Sequence, residues 1–385
     1  MSAISSFKVS ISQDAREDLR QRLRNTRWPD AETTNDWSQG VRLEYLKQLC
    51  NYWASDYTFE LAEQRLNKFP QFTTEIDGLN IHFVHARSSH PDALPLVITH
   101  GWPGSVTEFA KIIEPLTQPE AHGGDAADAF HVVCPSLPGY GFSGKPRERG
   151  WGIEKIAETW DTLMARLGYG RYVASGGDWG SAVTTYLGVQ NRGRCAALHL
   201  TMPFARPPAA AMQAPGPEDL EGLQALQGFM MRHSAYFMQH MNGPQTIGYS
   251  LVDSPVALAA WIIDKFQSWS SPEGNPESLF TKNELLDNLM MYWLPASGAS
   301  ALRLYPESYY RMFMDETNQD TVNLPVGVSV FPNEMVKIPR SWAQTRYKKI
   351  VCWNKLSKGG HFATLEQPEL FTDEVRSCFR ALRAR

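Results

Sequence analysis

An aspartate, a glutamate and a histidine, far apart in the chain, sit in surroundings suited to covalent catalysis: Asp178 in "SGGDWGS", Glu334 in "VGVSVFPNEM" and His361 in "GGHFATLEQP". Asp178 follows an apolar run and precedes a helical pattern, with small residues on both sides. A strand-to-helix elbow needs such neighbours, because its central residue sits on a sharp strained turn that projects the side chain at the top of a sheet. The same residues would also serve as an Asp helix N-cap after a glycine turn. A carboxylate attacking carbon makes an alkyl ester rather than an acyl-enzyme, which suits an epoxide or an alkyl halide. No G-x-S-x-G occurs in the chain, so a serine esterase has no obvious nucleophile.

Hydrolysis of such an ester needs a general base, and His361 is the candidate, with a near-neutral pKa and an exposed imidazole expected of it. It follows the nucleophile and the acid in the order Asp178, Glu334, His361. Glu334 lies just beyond an apolar run and would fix the imidazole tautomer and stabilise the imidazolium. Asp315, Glu316 and Asp320 compete for that task but precede the same run. In "THGWPGS" the backbone N–H of Trp102 is placed to join the N–H of Trp179 as an oxyanion hole. Epoxide opening leaves an alkoxide that a Tyr hydroxyl would hydrogen-bond. Tyr236, Tyr249, Tyr292, Tyr305, Tyr309 and Tyr310 are the candidates, and composition does not choose among them.

The elements that must position these residues alternate. Four-residue spacing of Ile11, Ala15, Leu19 and Leu23 after Ser12 predicts a helix over 13–25, stopped by Trp28-Pro29-Asp30, and a second helix is expected over 41–52. Two alternating segments around Asp77-Gly78 predict a hairpin. Apolar runs at 95–100, 131–137, 172–177, 326–331 and 349–354 read as strands buried on both faces, with helices over 152–167 and 180–190 between them. That rhythm implies an α/β fold with a mostly parallel central sheet flanked by helices. The division expected is an N-terminal helical arm (1–70), a first part of the core (71–202), an inserted all-helical lid (203–312) and a second part of the core (313–385).

With 43% hydrophobic and 20% charged residues the chain is globular, and its net charge of −4 offers no basic face for nucleic acid. No apolar run reaches membrane-spanning length and the first residues form no signal-peptide core, so a soluble cytoplasmic protein without a transmembrane anchor is expected. Five cysteines at 50, 134, 195, 352 and 378 include no C-x-x-C pair, and neither metal nor cofactor is expected. Twelve Trp and 14 Tyr suit a large core and an apolar pocket.

Taken in order, "RLRNTRWPD" (22–30), "HGWPGS", "SLPGYGFSGKP" (136–146), "GGDWGS", "DSPVALAAWI" (253–262), "FPNE" and "GGHFATLEQPEL" (359–370) resemble the landmarks of the microsomal-type epoxide hydrolases. The resemblance spans nearly the whole chain and implies an α/β-hydrolase fold and conversion of a small apolar epoxide and water to a vicinal diol. It matches Asp178 to the nucleophile, His361 to the base and Glu334 to the relay acid. It also matches Tyr236 to the first epoxide-binding tyrosine and Tyr305 to the second, the latter with Tyr309 and Tyr310 close by. A homodimer is implied too. The membrane anchor of the family's mammalian members has no counterpart in "MSAISSFKVS". Two rivals remain at this stage. A haloalkane dehalogenase shares the Asp nucleophile but has no need of a tyrosine pair, and halide release would identify it. A silent small-ligand receptor would bind without turnover.

Overall fold

Strands form mainly where short apolar runs can be buried against their neighbours. In the computed structural model, which describes residues 3–270, 274–315 and 320–382, they join one sheet. They are β1 Ser5–Phe7, β2 Gln71–Ile76, β3 Leu79–Ala86, β4 Leu94–Thr99, β5 Phe130–Pro135, β6 Tyr172–Gly176, β7 Cys195–Leu200, β8 Val322–Val330 and β9 Tyr347–Lys355. Their spatial order is β1-β2-β3-β5-β4-β6-β7-β8-β9. From β5 to β9 every pairing is parallel, and β1, β2 and β3 extend the sheet antiparallel from β5. This is the α/β-hydrolase arrangement, mostly parallel with helices on its faces.

The β2–β3 hairpin turns where expected, with φ of 50° at Asp77 and 76° at Gly78. Positive φ at both turn residues matches the right-handed twist of the flanking strands. The helices Gln13–Arg24 and Leu43–Ser55 fall close to their expected places, and the Ser12 hydroxyl caps the first by accepting from Ala15 N. That first helix ends with its cap at Asn25, before the Trp-Pro turn.

Four elements depart from the sequence reading, the first being β9, an edge strand exposed or half-buried along most of its length rather than buried on both faces. The arm is not purely helical, because β1 pairs with β2 and ties the arm's start into the sheet. A further helix, Phe59–Leu66, completes the arm. The sequence of β7, "CAALHL", carries small residues and a histidine that mask a core strand. His199 is tolerated there because its two ring nitrogens meet Ser175 on β6 (3.0 Å) and Ser329 on β8 (2.9 Å), leaving no buried polar group unpaired.

Between β7 and β8 the chain leaves the sheet as a run of helices, among them Pro217–Arg232, Ala235–Asn242, Pro244–Asp253, Pro255–Ser268, Lys282–Trp293 and Leu304–Tyr309. No strand interrupts them among the described residues. Three of these helices begin with proline, whose missing N–H falls where a helix start leaves donors unused anyway. The arm clasps this lid. Arg65 makes two hydrogen bonds to buried Asp287 on the helix Lys282–Trp293 (2.6 and 2.7 Å), Tyr57 OH adds a third (2.6 Å), and Arg22 reaches Asp253 (2.8 Å). All five cysteines are free thiols. No single helix among the described residues is long and apolar enough to cross a membrane. The pair Pro244–Asp253 and Pro255–Ser268 would pass only together, and it is bent by 116°.

Candidate active site

Sterics explain why the Asp178 elbow is built from glycine. Asp178 itself adopts φ 48°, in the left-handed region, between β6 and the helix Asp178–Gln190. A Cβ at Gly176 would overlap the backbone of Gly180, and one at Gly180 would overlap the Thr99 carbonyl at the end of β4. A Cβ at Gly101 would overlap the Asp178 carboxylate itself. The turn is thus packed from three sides, and that packing sustains the strained φ.

The carboxylate's two oxygens have different surroundings. Trp102 N donates to Oδ1 at 2.9 Å, whereas Oδ2 lies 3.7 Å from His361 Nε2. On its far side His361 Nδ1 donates to Glu334 Oε1 at 2.9 Å, which fixes the tautomer with Nε2 facing Asp178. Glu334 stands just past β8, where its Oε1 also accepts from Met335 N (2.8 Å). The lid contributes as well, since His361 N donates to the Trp269 carbonyl (3.1 Å) directly after the helix Pro255–Ser268. Of the rival carboxylates, Asp315 and Asp320 pair with Arg311, and Glu316 lies outside the described residues.

One expectation fails. The His361 imidazole is buried, with 5% of its side chain exposed, rather than open to solvent. Trp269 packs against its ring with centroids 4.9 Å apart, and Phe362 lies 5.1 Å away on its own strand-to-helix loop. Water and substrate therefore reach it only through internal space.

That space includes a cavity of about 360 Å³ between core and lid, lined by Asp178, Trp179, Tyr236 and Tyr305. Tyr236 stacks on Trp102 at 4.9 Å, and Tyr305 meets Trp179 edge-on at 4.8 Å. The Tyr305 hydroxyl is buried without a hydrogen-bond partner among the described residues. The remaining candidates separate cleanly. Tyr292 OH donates to the Gly104 carbonyl (2.7 Å), Tyr249 and Tyr310 are 70% and 68% exposed, and Tyr309 lines the same cavity beside Phe237.

Comparison with known proteins is decisive here. Residues 4–109 match the family model "Epoxide hydrolase N terminus" and residues 95–244 match "alpha/beta hydrolase fold". The chain is 49% identical over 382 residues to a Stigmatella aurantiaca protein assigned by name to the epoxide hydrolases, covering 99% of this chain and 86% of that one. It is 34% identical to epoxide hydrolase 1 of Sus scrofa, over 97% of this chain and 88% of the pig protein. The crystal structure of juvenile hormone epoxide hydrolase from the silkworm Bombyx mori superposes with a TM-score of 0.92 at 30% identity, covering 100% of this chain and 96% of that one.

The chain belongs to the microsomal-type epoxide hydrolase family.

In this epoxide hydrolase the buried charges at the site press on one another. Desolvation pushes the Asp178 carboxyl up, against the pull of the His361 charge and of the Trp179 and Trp102 N–H groups. Burial would lower His361, but the Glu334 carboxylate and its hydrogen bond, then Asp178 and Glu108, outweigh it and hold the imidazole at about 9. Burial raises both Tyr236 and Tyr305 well above the usual phenol range, and the Asp178 charge adds to this, so both hydroxyls stay protonated as donors. Two residues at this site were not singled out from sequence. Trp269 covers His361, and Glu108, in "SVTEF" just after the loop that carries Trp102, acts on both Asp178 and His361. An acid between apolar residues so close to that loop was the available signal for Glu108.

Proposed function

We propose that the epoxide hydrolase reaction runs through a covalent ester on Asp178, with Tyr236 and Tyr305 as epoxide-oxygen donors and the Glu334–His361 pair as the hydrolytic base. The observation that carries this reading is the division of labour between the two Asp178 oxygens. Oδ1 is already engaged by the N–H of Trp102, while Oδ2 lies 3.7 Å from His361 Nε2.

In the first step Oδ2 displaces the epoxide oxygen from carbon. The two phenols hydrogen-bond the departing oxygen, and one of them gives it a proton that it regains when the ester is hydrolysed. Because Oδ1 becomes the ester's carbonyl oxygen, the Trp102 N–H that held it, together with that of Trp179, then stabilises the oxyanion formed when water attacks. Esterification also removes the Asp178 charge. That charge is one of the influences holding His361 at about 9, so forming the ester makes the imidazole a less protonated and more available base. His361 takes a proton from water, the water oxygen bonds to the ester carbonyl carbon, and collapse of the tetrahedral intermediate returns Asp178 and the diol.

The substrate class we assign is an uncharged, lipophilic epoxide. Beyond the four residues at the reacting centre the cavity is lined by side chains such as Met202, Phe204, Leu226, Phe229 and Met312, none of which could pair with a charged substituent.

Repeated turnover of styrene oxide in ¹⁸O-water should place label in the peptide containing Asp178, read by mass spectrometry. Diol production with an unlabelled Asp178 would sink the ester route. Tyr236→Phe or Tyr305→Phe alone should lower kcat/KM by roughly 10- to 100-fold, the worth of one hydrogen bond to a charged oxygen, and the double variant should lose clearly more than either. Wild-type kcat/KM in the double variant would remove the tyrosines from the mechanism.

A further inference from the structure

A second, far smaller cavity shares only Asp178 with the substrate cavity. Its volume of about 20 Å³ is room for one water molecule. Among the side chains in its wall that can hydrogen-bond are Asp178, His361, Glu108 and Thr364. The Thr364 hydroxyl is buried and has no hydrogen-bond partner among the described residues, an omission that costs free energy unless something in the cavity meets it. Glu108 is carried on the turn Val106–Phe109, and its carboxyl group fills the space over Gly104, where a Cβ would overlap it. The absence of a side chain at Gly104 therefore brings a carboxyl group to the cavity beside the nucleophile.

We propose that this cavity holds the water that hydrolyses the Asp178 ester, and that Glu108 and Thr364 position that water against His361. The inference rests on the ester route described above. It assigns water and substrate to opposite sides of Asp178, so that the hydrolytic water need not compete with an apolar epoxide for the same space. One O–H of the water donates to His361 Nε2 and the other to a Glu108 carboxyl oxygen, which leaves a lone pair on the water oxygen for the ester carbon. The Thr364 hydroxyl supplies a further contact to the same oxygen. As the new C–O bond forms, His361 takes the first proton. It returns that proton to the diol oxygen when the original ester C–O bond breaks, and the water's second proton leaves the regenerated Asp178 carboxyl for the phenolate left by epoxide opening, so atoms and charge balance. Desolvation pushes the Glu108 carboxyl up to about 8, opposed by the His361 charge and reinforced by that of Asp178. An uncharged Glu108 can accept from the water without adding a further negative charge beside Asp178 and Glu334.

The test is single-turnover kinetics on the whole protein with styrene oxide, following ester formation and ester loss separately by rapid quench and intact-mass measurement. Glu108→Ala should slow ester loss about 100-fold, the usual scale for removing a group that organises proton transfer, while ester formation stays within about threefold of wild type. In steady state kcat and KM should fall together with kcat/KM nearly kept, a pattern that general loosening of the fold would not produce. Glu108→Gln, which can still accept from water, should recover most of the loss. Thr364→Val, close to isosteric, should slow ester loss more mildly in the same selective way. Equal slowing of both half-reactions, or unchanged ester loss in Glu108→Ala and Thr364→Val, would overturn the proposal. His361→Gln separates the two levels. Ester trapped there but lost at the normal rate in the Glu108 and Thr364 variants refutes the water site alone, and no ester in any variant refutes the covalent route and the water site together.

Discussion

Replacing Asp178 with alanine should end diol formation, with a loss on the order of 10⁵-fold or more and no covalent adduct in the intact-mass spectrum. No neighbouring group can substitute, because the elbow aims only this side chain at the junction of the two cavities. The same change should not lower the melting temperature at neutral pH. Burial raises the Asp178 carboxyl above its unfolded value, so the ionised form costs stability. The sign is the reverse of the usual carboxylate: the penalty is absent below the unfolded pKa and grows as pH rises through the titration. Calorimetry on Asp178→Ala beside the wild type checks both halves of the expectation. Residual diol at a hundredth of the wild-type rate would show that another residue is the nucleophile.

His361→Gln should behave differently, forming the ester and then stalling. Mixing the variant with excess styrene oxide should add the mass of one substrate to the protein, and steady-state turnover should fall about 10³-fold. Because the resting imidazole is held at about 9, ester hydrolysis in the wild type should accelerate with rising pH. Its midpoint should fall below 9, since esterified Asp178 no longer contributes its charge. The Gln variant should lose that dependence. Wild-type turnover in the variant without an adduct would mean that His361 is not the base.

Much of this site is legible from residue type and spacing because local sterics impose it. The glycines at 176 and 180 are required by backbone atoms within contact of their missing Cβ positions, and Asp77-Gly78 is a turn whose φ values few other pairs adopt. Glu334 and His361 could be placed in the loops that follow two core strands because the chain order of the fold leaves them few alternatives. What could not be read depends on partners distant in sequence. β7 is a strand only because serines on β6 and β8 satisfy His199. The lid tyrosines look alike in sequence, yet two are exposed and Tyr292 is spent on a loop carbonyl. The burial of His361 comes from Trp269, nearly a hundred residues earlier, closing over it from the lid.

The clasp between arm and lid has a consequence for anyone seeking to change what this enzyme accepts. Arg65, Tyr57 and Asp287 fasten the lid to a segment that is itself stitched into the sheet through β1. Lid and arm are therefore fastened together as a single unit. Transplanting a foreign lid would strand Arg65 opposite a mismatched surface and leave a half-buried cation uncompensated. Libraries aimed at new selectivity should leave that scaffold alone and vary the cavity wall, at positions such as Leu226, Phe229 and Met312, where a change of volume alters fit without unfastening the frame.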